Sequence, residues 1–284
     1  MSGIEQQYAK DIPISTWDKQ WNLICEELKK YKEITPKFED VLLETKSSFG
    51  KVVKQAIFEN LNMITVSPED IRQLWRYVNE SCAEKITENR FIPLPEYAST
   101  NRMNDTDRLY SYFSISYKDS ASKDIEATGV REIRATENDD VWKCRFDFSA
   151  DISKLKFIDF SPVCRIPKDE GEYGNFLVSK LGKRLPVDKN KLTYWLIQTL
   201  LQIFHESDMF SPIDKSENQE EQRLKYKPFH VICDYLERQG YNGIIYRSSV
   251  FKKGRCLALF NPDYAVCEFD TLEKINVAKA LKIK

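Results

Sequence analysis

The chain has 284 residues, with 43 Lys+Arg against 44 Asp+Glu, a formal net charge of −1 and 42% hydrophobic residues. This near-neutrality excludes a long-range field favouring nucleic acid or an anionic membrane, and no segment approaches the roughly 18 uninterrupted apolar residues of a membrane span. Seven scattered cysteines and only two histidines, His205 and His230, leave little for a disulfide framework, a zinc motif or a histidine triad. No metal site is therefore expected. The opening MSGIEQQYAKDIP lacks the apolar run of a signal peptide, so a cytoplasmic location without membrane attachment is expected.

The pattern predicts a helical N-terminal region over residues 1–88. Trp17, Trp21, Ile24, Cys25 and Leu28 form one stripe, shorter helices follow at about 37–47 and 50–61, and Ser67-Pro68-Glu69-Asp70 reads as a helix start. Ile71, Leu74, Trp75, Val78 and Cys82 would continue that helix. Pro93 and Pro95 break the pattern and open a second domain, 89–284. Within it, Leu109–Tyr117, Val141–Phe148 and Leu155–Phe160 read as strands, and residues 121–134 as a helix or turn carrying Glu126 and Glu132.

Farther along, an apolar helix is predicted over Lys189–His205. The polar tract Asp214–Lys227 reads as a mobile surface connection, and Phe229, Ile232, Cys233 and Leu236 predict a helix over Pro228–Gln239 with Gly240 as its left-handed cap. A strand through Ile244, Ile245 and Tyr246 follows and releases Ser248 and Ser249 at its end. The basic Lys252-Lys253-Gly254-Arg255 reads as a solvated hairpin turn before an apolar LALF strand. Helices first and mixed elements later give an α+β class.

Phosphate-loop, dinucleotide-fingerprint, HExxH and GxSxG motifs are absent. What remains is an ordered set near element boundaries: Arg102 and Asn104 in NRMN, Tyr110 in RLY, Glu132 in GVREIRA and Ser248 in GYNGIIYRSS, followed by LALFNP. In this order the segment from about 89 to 270 resembles the RES-domain family, named for its Arg, Glu and Ser. Asn242 stands at the family's usual Asp, and the long Tyr-to-Glu interval leaves Tyr112 or Tyr117 as alternatives to Tyr110, and Glu126 as an alternative to Glu132.

The resemblance implies an ADP-ribosyltransferase-like fold that binds NAD as substrate, with no further cofactor required, and an NAD-degrading toxin activity paired with an antitoxin or regulatory protein. Cleavage of the nicotinamide–ribose bond releases a neutral ring through an oxocarbenium-like transition state, which rewards a fixed carboxylate and oriented ribose hydroxyls. On that reading Arg102 neutralises the pyrophosphate or a phosphate acceptor, Tyr110 packs on nicotinamide or ribose, Glu132 meets the developing charge and Ser248 holds the nicotinamide side. Asn104 and Tyr246 complete the NAD contacts. Inorganic phosphate as acceptor gives phosphorolysis, and water gives hydrolysis. The rivals are ADP-ribosyl transfer to a macromolecule and a catalytically inactive interaction module.

Overall fold

The structure is a computed structural model and describes residues 12–32, 35–44, 48–93, 108–117, 121–149, 151–161, 189–210 and 218–283, with positions 169, 171, 172, 174 and 175. In chain order the main elements are α1 (Trp17–Lys29), α2 (Phe38–Glu44), α3 (Phe49–Val53, continuing as a π-helical turn Lys54–Phe58), β1 (Thr65–Val66), β2 (Ile71–Asn79), β3 (Ser111–Tyr117), α4 (Ser122–Glu132), β4 (Val141–Phe148), β5 (Phe157–Phe160), α5 (Lys189–Glu206), α6 (Gln219–Arg238), β6 (Gly243–Arg247), β7 (Arg255–Leu259), β8 (Ala265–Ile275) and α7 (Val277–Leu281). The architecture is mixed α and β, with a mostly helical N-terminal region and one eight-stranded mixed sheet.

Contacts divide the chain into two interleaved units, residues 1–64 with 162–235, and 65–161 with 236–284. The first unit is helical. Its core is aromatic: Trp21 of α1 stacks on Phe204 of α5 at 3.8 Å between ring centroids, and Phe58 meets Phe38 and Tyr235 edge-on. The stripe read from Trp17 to Leu28 is fully turned inward, as an apolar face at helical spacing requires.

Helix α6 begins nine residues before the predicted Pro228. Asn218 Oδ1 accepts from Glu221 N at 2.9 Å while a Glu221 carboxylate oxygen accepts from Asn218 N at 3.2 Å. That reciprocal cap starts a helix inside the tract expected to be a connection, and Pro228 is accommodated in its interior. At the other end the reading holds, since Gly240 takes φ 82° and its N–H bonds to the Glu237 carbonyl.

The second unit carries the sheet, ordered β1-β5-β6-β7-β3-β2-β4-β8. Every pairing is antiparallel except β5 with β6, where Phe157 aligns with Gly243 and Phe160 with Tyr246. Strand β2 corrects the helix expected from Ile71 onward. Ser67 and Asp70 do form a capping box, but it closes a single 3-10 turn, Pro68–Asp70. The chain then extends and pairs with β3 on one side and β4 on the other. Its β-branched and aromatic residues suit a central strand, and tertiary pairing overrides a helical spacing carried by only a few positions.

The two sheet faces differ. Leu74, Phe113, Ile115, Phe146, Phe157, Ile245, Leu257 and Leu259 form the larger buried cluster on one face. On the other, Tyr77, Val130, Val141, Ile275, Val277 and Ala280 pack under α4 and α7. Arg131 fastens these helices: its guanidinium donates to the carbonyls of Ala127, Ala280, Leu281 and Ile283 at 2.7–3.2 Å and lies 4.7 Å from the Phe251 ring centroid.

Candidate functional site at one end of the central strands

Arg102 and Asn104 lie outside the described residues. Tyr110 enters β3 beside Ser111, which pairs with Leu259. Its ring packs on Phe260 at 4.8 Å, and its hydroxyl donates to Glu237 at 3.3 Å and accepts from Arg108 at 3.4 Å. Ser248 emerges from the opposite end of β6, where Arg247 pairs with Arg255. The length of β7 separates those two register pairs, about 13 Å at ~3.3 Å per residue.

Ser248 is buried, and its Oγ accepts from Val250 N at 3.3 Å and Phe251 N at 3.0 Å, closing the β6–β7 turn. Tyr246 is buried one register from that end, opposite Cys256. Glu132 ends α4, where its carboxylate stands 3.7 Å from the Cys256 thiol on the sheet face that α4 covers. Ser248, Tyr246 and Glu132 therefore gather at one end of the strands, and Tyr110 at the other. Asn242, at the Asp position of the resemblance, is structural: its Oδ1 accepts from Lys156 N at 2.9 Å while its backbone bonds to Lys156 and Phe260.

The end that holds Ser248 also holds a polar group on the larger buried face. Asp159, Arg247, Arg255 and Tyr117 come from β5, β6, β7 and β3, four adjacent strands. Strand alternation puts Asp159, Arg247 and Arg255 on the same face as Phe157, Ile245 and Leu257. Tyr117 belongs to that face directly. Its hydroxyl donates to Asp159 Oδ2 at 2.7 Å, and Asp159 Oδ1 accepts from Ser161 N at 2.9 Å and Ser161 Oγ at 2.5 Å.

Burial first, then the neighbouring Asp159 carboxylate, pushes the Tyr117 phenol pKa well up, with Asp70 adding to the effect and Arg255 opposing it. Tyr117 is accordingly a hydrogen-bond donor and not an acid at neutral pH. Burial lowers the pKa of Arg255, against the support of Asp159. Arginine keeps its charge regardless, so the direction measures how poorly this position is solvated. Arg255 Nη1 also donates to the Gly254 carbonyl at 3.1 Å, which fixes the guanidinium beside the turn.

Arg247 and Arg255 are direct cross-strand partners. Like charges so placed oppose folding, and local conflicts of this kind concentrate at functional sites. The arrangement can hold an anion between two guanidinium forks while an oriented carboxylate faces a neighbouring hydroxyl or cationic centre. Among the described residues no group of three or more His, Cys, Asp or Glu could hold a metal ion, and no helix is long and apolar enough to cross a membrane.

Comparisons of this chain with protein-family models, characterised proteins and solved structures found no match. The site therefore rests on its own geometry. Sequence reasoning named Tyr117 only as an alternative, passed over Asp159 and Arg247, and read Arg255 as part of a solvated turn, whereas it opens β7 in a poorly solvated position. The signal for the arginines was present: Arg247 and Arg255 bracket the SSVFKKG turn symmetrically, so any hairpin closed by that turn makes them partners.

Proposed function

We propose that the chain binds NAD at this strand end and cleaves its nicotinamide–ribose bond, with phosphate or water as acceptor. The observation that carries the reading is the cross-strand pair Arg247/Arg255 beside the Tyr117–Asp159–Ser161 hydrogen-bond chain. A dinucleotide needs a cationic fork for its pyrophosphate and a fixed carboxylate near the ribose; both residue types occur here on one face. The RES-like order of NRMN, RLY, GVREIRA and GYNGIIYRSS supplies the reaction class and the ADP-ribosyltransferase-like fold, and with them the toxin role and an antitoxin partner.

In this reading Arg247 and Arg255 neutralise the pyrophosphate, and Asp159, oriented by Tyr117 and Ser161, stabilises the positive charge developing on the ribose. Glu132 sits on the other face of the sheet and serves as the competing carboxylate. The turn-closing bonds of Ser248 Oγ favour a second reading, a nucleotide-binding interaction module without chemistry, because that hydroxyl is already engaged.

Purified protein incubated with NAD, with and without inorganic phosphate, separates these readings by the nicotinamide released and the ribosyl product formed. Release that depends on phosphate gives phosphorolysis. NAD binding with no nicotinamide under either condition sinks the enzyme reading and leaves the module. Label from NAD retained on protein or nucleic acid identifies ADP-ribosyl transfer.

A further inference from the structure

Strand β8 pairs with β4 through an irregular seam. Lys143 faces Glu273 and Arg145 faces Glu268, so β8 carries surplus residues between those two pairs. Thr271 fills the gap, its Oγ1 accepting from Arg145 N at 2.9 Å and donating to the Glu268 carbonyl at 2.6 Å. At this bulge the thiols of Cys144 and Cys267 come to 3.3 Å.

We propose that Cys144 and Cys267 are a modification site, a thiol pair that closes reversibly into a cross-strand disulfide in exchange with a low-molecular-weight disulfide. The sulfurs need to approach by only about 1 Å to reach a covalent bond of ~2.05 Å. Access is unequal: Cys267 is partly exposed and Cys144 is fully buried. Cys267 is therefore the thiol that meets the reagent, and Cys144 is the one that resolves it.

The exchange balances as two displacements. Cys267 loses its proton and its thiolate attacks one sulfur of the small disulfide, expelling a first small thiolate that takes up a proton. Cys144 then loses its proton and attacks the Cys267 sulfur, expelling the second small thiol. Two protein thiols are oxidised by two electrons and one small disulfide is reduced to two thiols.

Arg76 of β2 is a further cation beside this seam, and the one that acts on Cys267. Its Nη1 is buried without a hydrogen-bond partner among the described residues, and its charge acts on Cys267. Burial, then the Cys144 thiol and the Glu88 carboxylate push the Cys267 pKa up, and Arg76 opposes them. Exchange is therefore slow at neutral pH and speeds up as pH rises.

The test equilibrates the full chain in mixed oxidised and reduced glutathione at alkaline pH, alkylates free thiols after denaturation and maps the peptides by mass spectrometry. The expected result is a linked Cys144–Cys267 peptide, reversed by excess reduced thiol, together with a stable glutathione adduct on Cys267 in Cys144→Ser. Two results overturn the proposal in the unmodified chain: glutathione held on Cys267 with Cys144 still reduced, or both cysteines reduced under conditions that load the partly exposed Cys82.

Discussion

The Tyr117 hydroxyl reaches Asp159 across two intervening strands, β6 and β7, a backbone span of about 14 Å at ~4.8 Å per strand. The bond ties β3 to β5 where no ladder joins them. Tyr117→Phe should cost about 1–3 kcal/mol, the range for removing a partner from a buried or charged hydrogen bond, measured by urea unfolding. The folded phenol holds its proton more tightly than the unfolded one. Its contribution is thus complete below the unfolded pKa of about 10 and is lost as pH rises above it. Wild-type stability should fall above pH ~10 by up to about 1.4 kcal/mol per pH unit more than in Tyr117→Phe. Tyr77, whose pKa burial also raises, supplies a residual slope in both proteins. Equal slopes would refute the linkage.

Arg255→Gln keeps a donor and removes a charge from the Arg247 pair. NAD affinity by calorimetry should fall by about 10-fold or more, the effect of losing charged hydrogen bonds worth ~1.5–3 kcal/mol. Stability should stay level or rise, because the like-charge opposition is relieved. A variant that binds NAD as the parent does removes this strand end from the nucleotide site.

In the proposed NAD cleavage, Asp159 and Glu132 are the two candidates for the charge-stabilising carboxylate, and two amide variants decide between them. Asp159→Asn should lower nicotinamide release by about 100-fold or more, as removal of a preorganised electrostatic group does, while Glu132→Gln changes it by less than about 10-fold. The reverse ranking would return the site to the face beneath α4. Ser248→Ala should cost about 1 kcal/mol of stability from its turn bonds, with a smaller effect on release than Asp159→Asn.

Gly254 lies against α4: a methyl group there would overlap Thr128 Oγ1 and meet its Cγ2 at 2.7 Å. Gly254→Ala should destabilise by about 1–3 kcal/mol through overpacking. Adding Thr128→Ala should recover most of the loss, a coupling readable in a double-mutant cycle of thermal or urea unfolding.

Legibility followed the number of residues that agreed locally. The α1 stripe, β4 and the Gly240 cap carry redundant signals and are found where the pattern puts them. β2 differs from its local pattern because its few large apolar residues satisfy a helical spacing, and only pairing on both edges decides otherwise. The start of α6 was hidden because Asn218 and Glu221, a cap, look like loop composition when the apolar stripe begins ten residues later. β8 escaped notice for a related reason, since its half-exposed residues alternate poorly around the bulge. At the site, residues that act through register were invisible singly: Arg247 and Arg255 become a pair only once the hairpin is closed.

Arg131 gives residues 280–283 an importance out of proportion to their number. By gripping the carbonyls of Ala280, Leu281 and Ile283 while its guanidinium carbon lies 4.7 Å from the Phe251 ring centroid, it makes α7 with its following residues and the Ser248 turn share one anchor. Any change that displaces Leu281 or Ile283 would loosen that anchor.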